Sequence, residues 1–437
     1  MVKNGVEVVI SVILLTSTGL LFLINRYVSL SQVFADPKFE YNWIIFGFHN
    51  ILGYSTVLLP GYLVYRYIHK INYFNKAGHN GLAFVIRKCF ESDDTIDCAN
   101  LAVSNVPQSR TLLQDGLLLM FYFVGLQASF LTWGVLQEKV MTQKYENADG
   151  GTAHFTDSQF LVFVNRILAF LLSGFVVLCT RQPTHRAPLY KYVYCSLSNI
   201  LSSWCQYEAL KYVSFPYQVL AKATKTIPVM ILGKIISKTK YESYEYLTAL
   251  LLSLGMLFFM FDTGNDSKGS STTTLSGVFL LCSYIAFDSF TSNWQGSLFK
   301  QYHMKPIQMM CGVNFFSCIF TAISLLQQGG LLRSVRFMLD YPAFMFDCFL
   351  LSLCSATGQL FIFKTIATFG PLIFVIITTM RQGFSVLLSC IIYGHEIHAV
   401  GIVGVFVVFF SIFLRIYCGH RIRTKRKRAQ TAADLKI

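Results

Sequence analysis

An all-α polytopic membrane protein is the fold class the sequence predicts, and three observations predict it. The 437 residues are 54% hydrophobic and only 13% charged, against about a quarter charged in soluble chains, which excludes water-soluble domains with polar surfaces. The apolar residues fall into stretches of membrane-spanning length. The basic residues gather on alternate connections between those stretches. The aromatic load of 40 Phe and 23 Tyr suits lipid-facing surfaces and interfacial belts.

The first apolar stretch, Val9–Ile24, lies in a segment 1–35 with Lys3 before it and Val33-Phe34-Ala35 after it, so a cleaved signal peptide and a retained helix both stay open. An accessory span, Trp43–Tyr65, occupies 36–66. The connector 67–111 follows, with Arg87 and Lys88 ahead of Glu91, Asp93, Asp94 and Asp97, and its composition predicts poor order. From Leu112 to Tyr417 apolar segments then arrive almost without pause: 114–136, 158–180, 190–211, 214–237, 245–262, 275–295, 307–327, 343–364, 369–393 and 397–417. In hydrocarbon every backbone amide must be paired within the chain, and the short alternating strands of a barrel are missing, so these are predicted helices. They form a ten-helix core of two five-helix repeats, 112–264 and 265–417, with a basic tail over 418–437.

Charge on the connections gives orientation. Arg181, Arg186 and Lys191 follow the second core segment, Lys238 and Lys240 the fourth, Lys300 and Lys305 the sixth, and Arg421, Arg423, Lys425, Arg426, Lys427 and Arg428 the last. The alternate loops carry Glu138, Glu146 and Asp149 against Lys139 and Lys144, and Asp262 and Asp266 against Lys268. Both ends of the core are therefore predicted to face the cytosol. The formal charge of +14 is read as a topology signal rather than a nucleic-acid surface. Asn265-Asp266-Ser267 is a glycosylation sequon on a predicted luminal loop. Most of the 12 cysteines lie inside predicted helices as small packing residues, and no zinc spacing occurs. His395-Glu396-Ile397-His398 is one residue short of HExxH, and no GxxxxGK[ST] loop is present, so neither metal nor cofactor is called for.

Five helices per half is an odd number, so a duplicated half must insert upside-down relative to its partner. A trace of duplication is visible. Gln206 and Lys211 recur in spacing as Gln359 and Lys364, each pair is followed by Phe215-Pro216 or Phe369-Gly370-Pro371, and the next segments carry Thr224-Lys225 and Thr379-Met380-Arg381.

The cations in apolar segments carry the chemistry. Lys222, Lys225, Lys364 and Arg381 together cost on the order of 10 kcal/mol in a bilayer unless paired or hydrated. Lys222 and Lys225 share one helix face, and Pro228 just beyond frees a carbonyl and widens a cavity. A basic pocket for a polyanion is one reading, since Lys and Arg are the usual phosphate and sulfate ligands. Internal ion pairs with Glu208 or Asp288 are the other, and Lys211 and Lys364 near helix ends also suit snorkelling. Gln127, Asn199, Gln206, Asn293 and Asn314 are read either as ligand contacts or as interhelical hydrogen-bonding glue. Tyr207, Tyr217, Tyr284 and Trp294 are candidates for stacking on a purine.

Four stretches carry a resemblance: Leu131 to Thr142 (LTWGVLQEKVMT), Leu201 to Lys211 (LSSWCQYEALK), Lys222 to Met230 (KATKTIPVM) and Ile285 to Gln295 (IAFDSFTSNWQ). They resemble the nucleotide-sugar transporter family (solute carrier 35) of the drug/metabolite transporter superfamily, nearest its carriers of the sulfate donor 3′-phosphoadenosine 5′-phosphosulfate. The likeness spans about 112–417 and weakly 43–66. It implies the drug/metabolite transporter fold, Golgi residence and exchange of cytosolic donor for luminal adenosine 3′,5′-bisphosphate or AMP. It also implies that the family's Lys-x-x-Lys falls on Lys222 and Lys225 and its later basic position on Arg381. Asp434-Leu-Lys-Ile437 lacks a dilysine retrieval pattern, in keeping with the Golgi. A donor carrying on the order of four negative charges would be neutralised by Lys222, Lys225 and Arg381 at the midplane between the repeats. A carrier of nucleotide sugars on the same fold, and a membrane-embedded enzyme, are the rival classes. No catalytic His-Asp or Cys-His grouping supports the enzyme. Besides small molecule and bilayer, a second copy of the chain is the one partner left open.

Overall fold

The computed structural model describes residues 2–32, 42–76, 81–91, 112–146, 151–155, 157–180, 187–209, 212–213, 224–236, 238–264, 275–327, 329–381 and 399–434. It is helical almost throughout. In chain order the helices are α1 (Val2–Gln32), α2 (Asn42–Ile71), α3 (Tyr73–Lys76), α4 (Gly81–Phe90), α5 (Leu112–Thr142), α6 (Ser158–Cys179), α7 (Tyr190–Ala209), α8 (Thr226–Ile236), α9 (Ser243–Gly264), α10 (Leu275–Tyr302), α11 (Pro306–Gln327), α12 (Gly330–Asp340), α13 (Pro342–Phe369), α14 (Pro371–Arg381) and α15 (Ala399–Asp434). Two strands, β1 (Lys144–Glu146) and β2 (Thr152–His154), pair antiparallel with Tyr145 opposite Ala153.

Six of these helices are long and apolar enough to cross a membrane: Leu113–Gln137, Gln159–Cys179, Leu275–Tyr302, Pro306–Leu326, Pro342–Phe369 and Val400–Gly419. The chain is therefore a multi-pass membrane protein. Large apolar side chains point outward along them, among them Phe121, Phe175, Phe346, Phe406 and Phe413, as lipid contact requires.

Two compact units divide the chain, and each is built differently. The first takes in Met1–Ile200 and Leu298–Ala367. In it α6 packs along α11, and α2 docks on both α1 and α11. The accessory helices pack onto this unit through one buried face. Ile10, Val64, Ile68, Tyr73 and Ile86 form one buried cluster drawn from α1, α2, α3 and α4. Ser324 Oγ donates to Asn50 Oδ1 at 3.3 Å, and the Tyr54 and Phe320 rings meet edge-on. The poor order expected over 67–111 is corrected here for Tyr73–Lys76 and Gly81–Phe90. Arg87 Nη2 donates to the Phe74 carbonyl, and the Leu189 amide donates to the Lys88 carbonyl, so backbone polar groups as well as Ile86 hold these two short helices in place.

Two further elements went unanticipated, the β1–β2 hairpin and α12. Helix α12 carries Leu331, Val335, Phe337 and Met338 on one side, packed against a core of Val140, Phe155, Phe160 and Phe344, while Leu332 and Leu339 stay exposed. Asp157 links it to α6: its Oδ1 accepts from the Gln159 and Phe160 amides as an N-cap, and its Oδ2 accepts from Ser334 Oγ at 2.9 Å. The hairpin is tied to α13 through Asp347. That carboxylate receives Tyr145 Oη at 3.0 Å and Lys139 Nζ at 2.9 Å. Burial and the neighbouring carboxylate both hold the Tyr145 phenol well above its ordinary pKa, so it stays protonated and donating.

Asp347→Ala is expected to lower stability by about 1–3 kcal/mol, because the buried Tyr145 hydroxyl is left without an acceptor. Lys139→Ala should cost less, since the Lys139 side chain is about half exposed, at 47%, and screened by water. Thermal denaturation of the two purified variants in detergent checks the order, and equal losses would contradict it.

The second unit takes in Leu201–Ser297 and Thr368–Ile437. Its framework is the long contact of α9 with α15, and α8 packs beside α9. Helix α15 runs on through Lys425 to Asp434, so the stretch expected as a separate tail continues the last span as helix, which its Lys, Arg, Ala and Gln residues favour.

Candidate functional site

The second unit holds Lys225 and Glu208, two of the buried charged residues among those described. Helix α8 starts after a turn at Thr224 and Lys225, and the Lys225 carbonyl accepts the Val229 amide at 3.1 Å. Lys225 thus occupies the N-terminal turn of α8, where the helix dipole favours an anion and adds to the cost of a cation. The residue is nevertheless buried, at 7% exposure. The resolution is an ion pair: Lys225 Nζ meets Asp288 Oδ2 of α10. The Nζ also lies 5.8 Å from the centre of the Phe374 ring on α14.

One turn before Asp288 on the same face of α10 stands Tyr284, also buried, and it lies within electrostatic range of both Asp288 and Arg381. Arg381 closes the described part of α14 and is mostly buried. Helices α8, α10 and α14 therefore bring Lys225, Asp288, Tyr284, Arg381 and Phe374 into one neighbourhood. The Tyr284 carbonyl accepts from Ser202 Oγ at 3.4 Å, which fastens α7 to the same level.

Small residues let these helices come close. An added Cβ at Gly296 of α10 would lie 3.0 Å from the Pro371 ring at the start of α14, and one at Gly233 of α8 would fall 2.8 Å from Asn293 Oδ1. Asn293, at 1% exposure, donates to the Val229 and Ser289 carbonyls at 2.8 and 2.9 Å, so its amide nitrogen pins α10 to α8.

The other expected site residues divide between places. Gln206 is half-buried and Glu208 buried on α7. Tyr207 lies on α7, but its side chain, like all of Lys222 and Asn265, is outside the described residues. Gln127, Asn314 and Lys364 belong to the first unit. There Asn314 Nδ2 donates to Gln359 Oε1 at 2.8 Å and to the Met310 carbonyl. Helix α5 meets α13 at this depth, with Gly125 against Phe361 and Gly358 against Ser129. Gln127 Nε2 and Asn314 Oδ1 are buried without hydrogen-bond partners among the described residues, a condition that a polar ligand or water relieves. Lys364 is half-buried one turn and a half beyond Gln359.

One contributor went unread in the sequence and a second was read only in part. Phe374 is one phenylalanine among 40, so nothing marks it. Gln359 was visible as half of a repeated Gln–Lys pair, and only the packing of α11 on α13 shows what it binds.

The model of the UAA transporter family matches residues 118–419. The adenosine 3′-phospho 5′-phosphosulfate transporter 1 of Drosophila melanogaster is 53% identical over 417 residues, covering 93% of this chain and 90% of the relative. Its Homo sapiens namesake is 50% identical over 384 residues, covering 87% of this chain and 88% of the relative. The UDP-galactose/UDP-glucose transporter 5B of Arabidopsis thaliana is 38% identical over 318 residues, covering 71% and 90%. With a family model matching most of its length and relatives this similar end to end, the chain belongs to the UAA transporter family, the nucleotide-sugar transporters.

Proposed function

We propose that this chain is a Golgi membrane exchanger that brings 3′-phosphoadenosine 5′-phosphosulfate from the cytosol into the lumen against an adenosine nucleotide, supplying sulfotransferases there. One observation carries the reading: the buried Lys225 and the half-buried Arg381 share a neighbourhood of apolar helices in which Asp288 faces Lys225. Such a neighbourhood is costly in lipid and matches a ligand of roughly four negative charges. The names of the fly and human relatives, both phosphosulfate transporters, supply the substrate. Those relatives are carriers rather than enzymes, and the same holds of the reading here.

The ten-helix core of two inverted repeats is part of this proposal. Numbering the core helices from α5, repeat partners are five apart, so the second pairs with the seventh and the fifth with the tenth. Those partners pack directly on each other, α6 on α11 in the first unit and α9 on α15 in the second. Contact between equivalent helices is what a two-fold relation between halves produces near its axis. The alternation of basic loops places both ends of the core in the cytosol. Substrate-loaded carrier then reorients with its cations neutralised by the nucleotide, and the unloaded carrier, lacking those negative charges, is held back, which gives exchange.

A nucleotide-sugar exchanger is the second reading, favoured by the identity to the Arabidopsis UDP-galactose/UDP-glucose transporter 5B. Reconstitution separates the two. Uptake of sulfate-labelled donor into proteoliposomes is expected to rise when adenosine 3′,5′-bisphosphate or AMP is preloaded, and to resist competition by external UDP-sugars. Strong competition by a UDP-sugar, with no donor uptake, would transfer the assignment to the second reading.

A further inference from the structure

We infer that Asp288 is the internal counter-anion of Lys225, a resident stand-in that the nucleotide must displace, and that this contact sets both substrate affinity and the strictness of exchange. The inference rests on the reading of the chain as a carrier of an anionic nucleotide. Asp288 makes a poor ligand for such a molecule, because a carboxylate beside phosphates repels them. Yet it sits on the cation that this reading gives to the substrate. Both positions fit only if the contact is made and broken in the cycle.

The surroundings support that assignment. Lys225 stands at the N-terminal turn of α8, a place that favours an anion whether it is a carboxylate or a phosphate. Asp288 is less enclosed than its partner, with 27% of its side chain exposed against 9% for Lys225, so it has room to swing away while Lys225 stays. Phe374 leaves Nζ facing an aromatic surface, which keeps the lysine in place when its carboxylate leaves. Tyr284, in electrostatic range of Asp288, stands beside the path of the displaced carboxylate.

The consequence is a competition. With Asp288 on Lys225, the unloaded site has one charge neutralised, which lowers the cost of carrying it across the bilayer. Without that carboxylate the nucleotide meets no competitor and binds more tightly, while the unloaded carrier is held back more firmly. Asp288→Asn keeps the shape and one oxygen acceptor for Lys225 but removes the charge. In proteoliposomes the KM of Asp288→Asn for labelled donor is expected to fall on the order of tenfold, the worth of one charge-assisted contact. Zero-trans uptake should fall relative to uptake into vesicles preloaded with adenosine 3′,5′-bisphosphate, so the trans-stimulation ratio rises several-fold. A KM that is unchanged or raised in a transporting variant overturns the inference while leaving donor transport by the parent intact; absence of transport by the parent would defeat the underlying reading instead.

Removing one member of a buried pair can also prevent folding, and the nucleotide then serves as a second readout. Adenosine 3′,5′-bisphosphate added to detergent-solubilised Asp288→Asn should restore its thermal stability toward that of the parent, since it supplies the missing negative partner. A variant that the nucleotide does not rescue overturns the inference equally.

Discussion

Lys225→Ala is expected to reduce donor uptake by at least about a hundredfold at wild-type abundance. The reasoning is electrostatic. A cation buried at 7% exposure has little water to share its charge, so its contact with an anionic ligand is worth about 3–5 kcal/mol, and 1.4 kcal/mol is about tenfold. Alanine also strands Asp288, and that effect must be kept apart from the loss of a ligand contact. The double variant Lys225→Ala/Asp288→Ala does so: it removes both charges, should recover most of the thermal stability lost by the single variant, and should still fail to transport. If the double variant carries donor at near the parent rate, the pair is structural only. Lys225→Arg tests geometry rather than charge, since a planar fork replaces a point charge, and partial activity is the expected outcome.

How much of this could be read beforehand follows from what each feature depends on. Membrane helices announce themselves through local runs of apolar residues, so α6 and α11 were found to within a residue at both ends, while α5, α10 and α13 run on past the last apolar residues of the expected segments 114–136, 275–295 and 343–364. Helix α14 begins at Pro371 after Gly370, whose φ of +88° suits glycine, and that break was legible as Phe-Gly-Pro. Helix α12 was missed because an 11-residue amphipathic helix is too short and too charged to register as a span. The β1–β2 hairpin is stabilised by Asp347, some 200 residues away, which no local pattern encodes. The site divides in the same way. That Lys225 is buried followed from its apolar neighbours, and Asp288 was one of two carboxylates named as its partner. Which of the two it takes depends on the crossing of α8 and α10, a tertiary fact. Asn293 left both ligand and glue open from sequence, with glue the commoner role, and the structure uses its amide nitrogen on Val229 and Ser289.

The largest structural loss is expected from Gly255→Leu, at the contact of α9 with α15. In lipid there is no hydrophobic force between apolar helices, so their association depends on close backbone approach and interhelical hydrogen bonds. Both are present here. A Cβ at Gly255 would lie 2.9 Å from the Gly404 carbonyl oxygen and 2.9 Å from the Val408 amide nitrogen, backbone atoms that cannot rotate away. Ser411 Oγ donates to the Thr248 carbonyl at 2.6 Å, and Arg415 pairs with Glu245 at 3.2 Å with both side chains largely enclosed. Leucine must push the helices apart, at a cost of about 1–3 kcal/mol for overpacking. Separation then also weakens the two polar contacts, whose groups are expensive to leave unpaired in hydrocarbon. Leucine raises the hydropathy of α9, so poorer membrane insertion cannot account for a loss. The matched control is Gly134→Leu in α5, where an added Cβ meets nothing within 4 Å and the larger side chain enters open space. Gly255→Leu should lower the thermal midpoint in detergent and abolish uptake together, because α8, which begins at Lys225, packs on α9. Gly134→Leu should change neither. Gly255→Ala, which places the same Cβ without the branch, should fall between them, and equal behaviour of the two leucine variants would show that close approach of α9 and α15 does not hold this unit together.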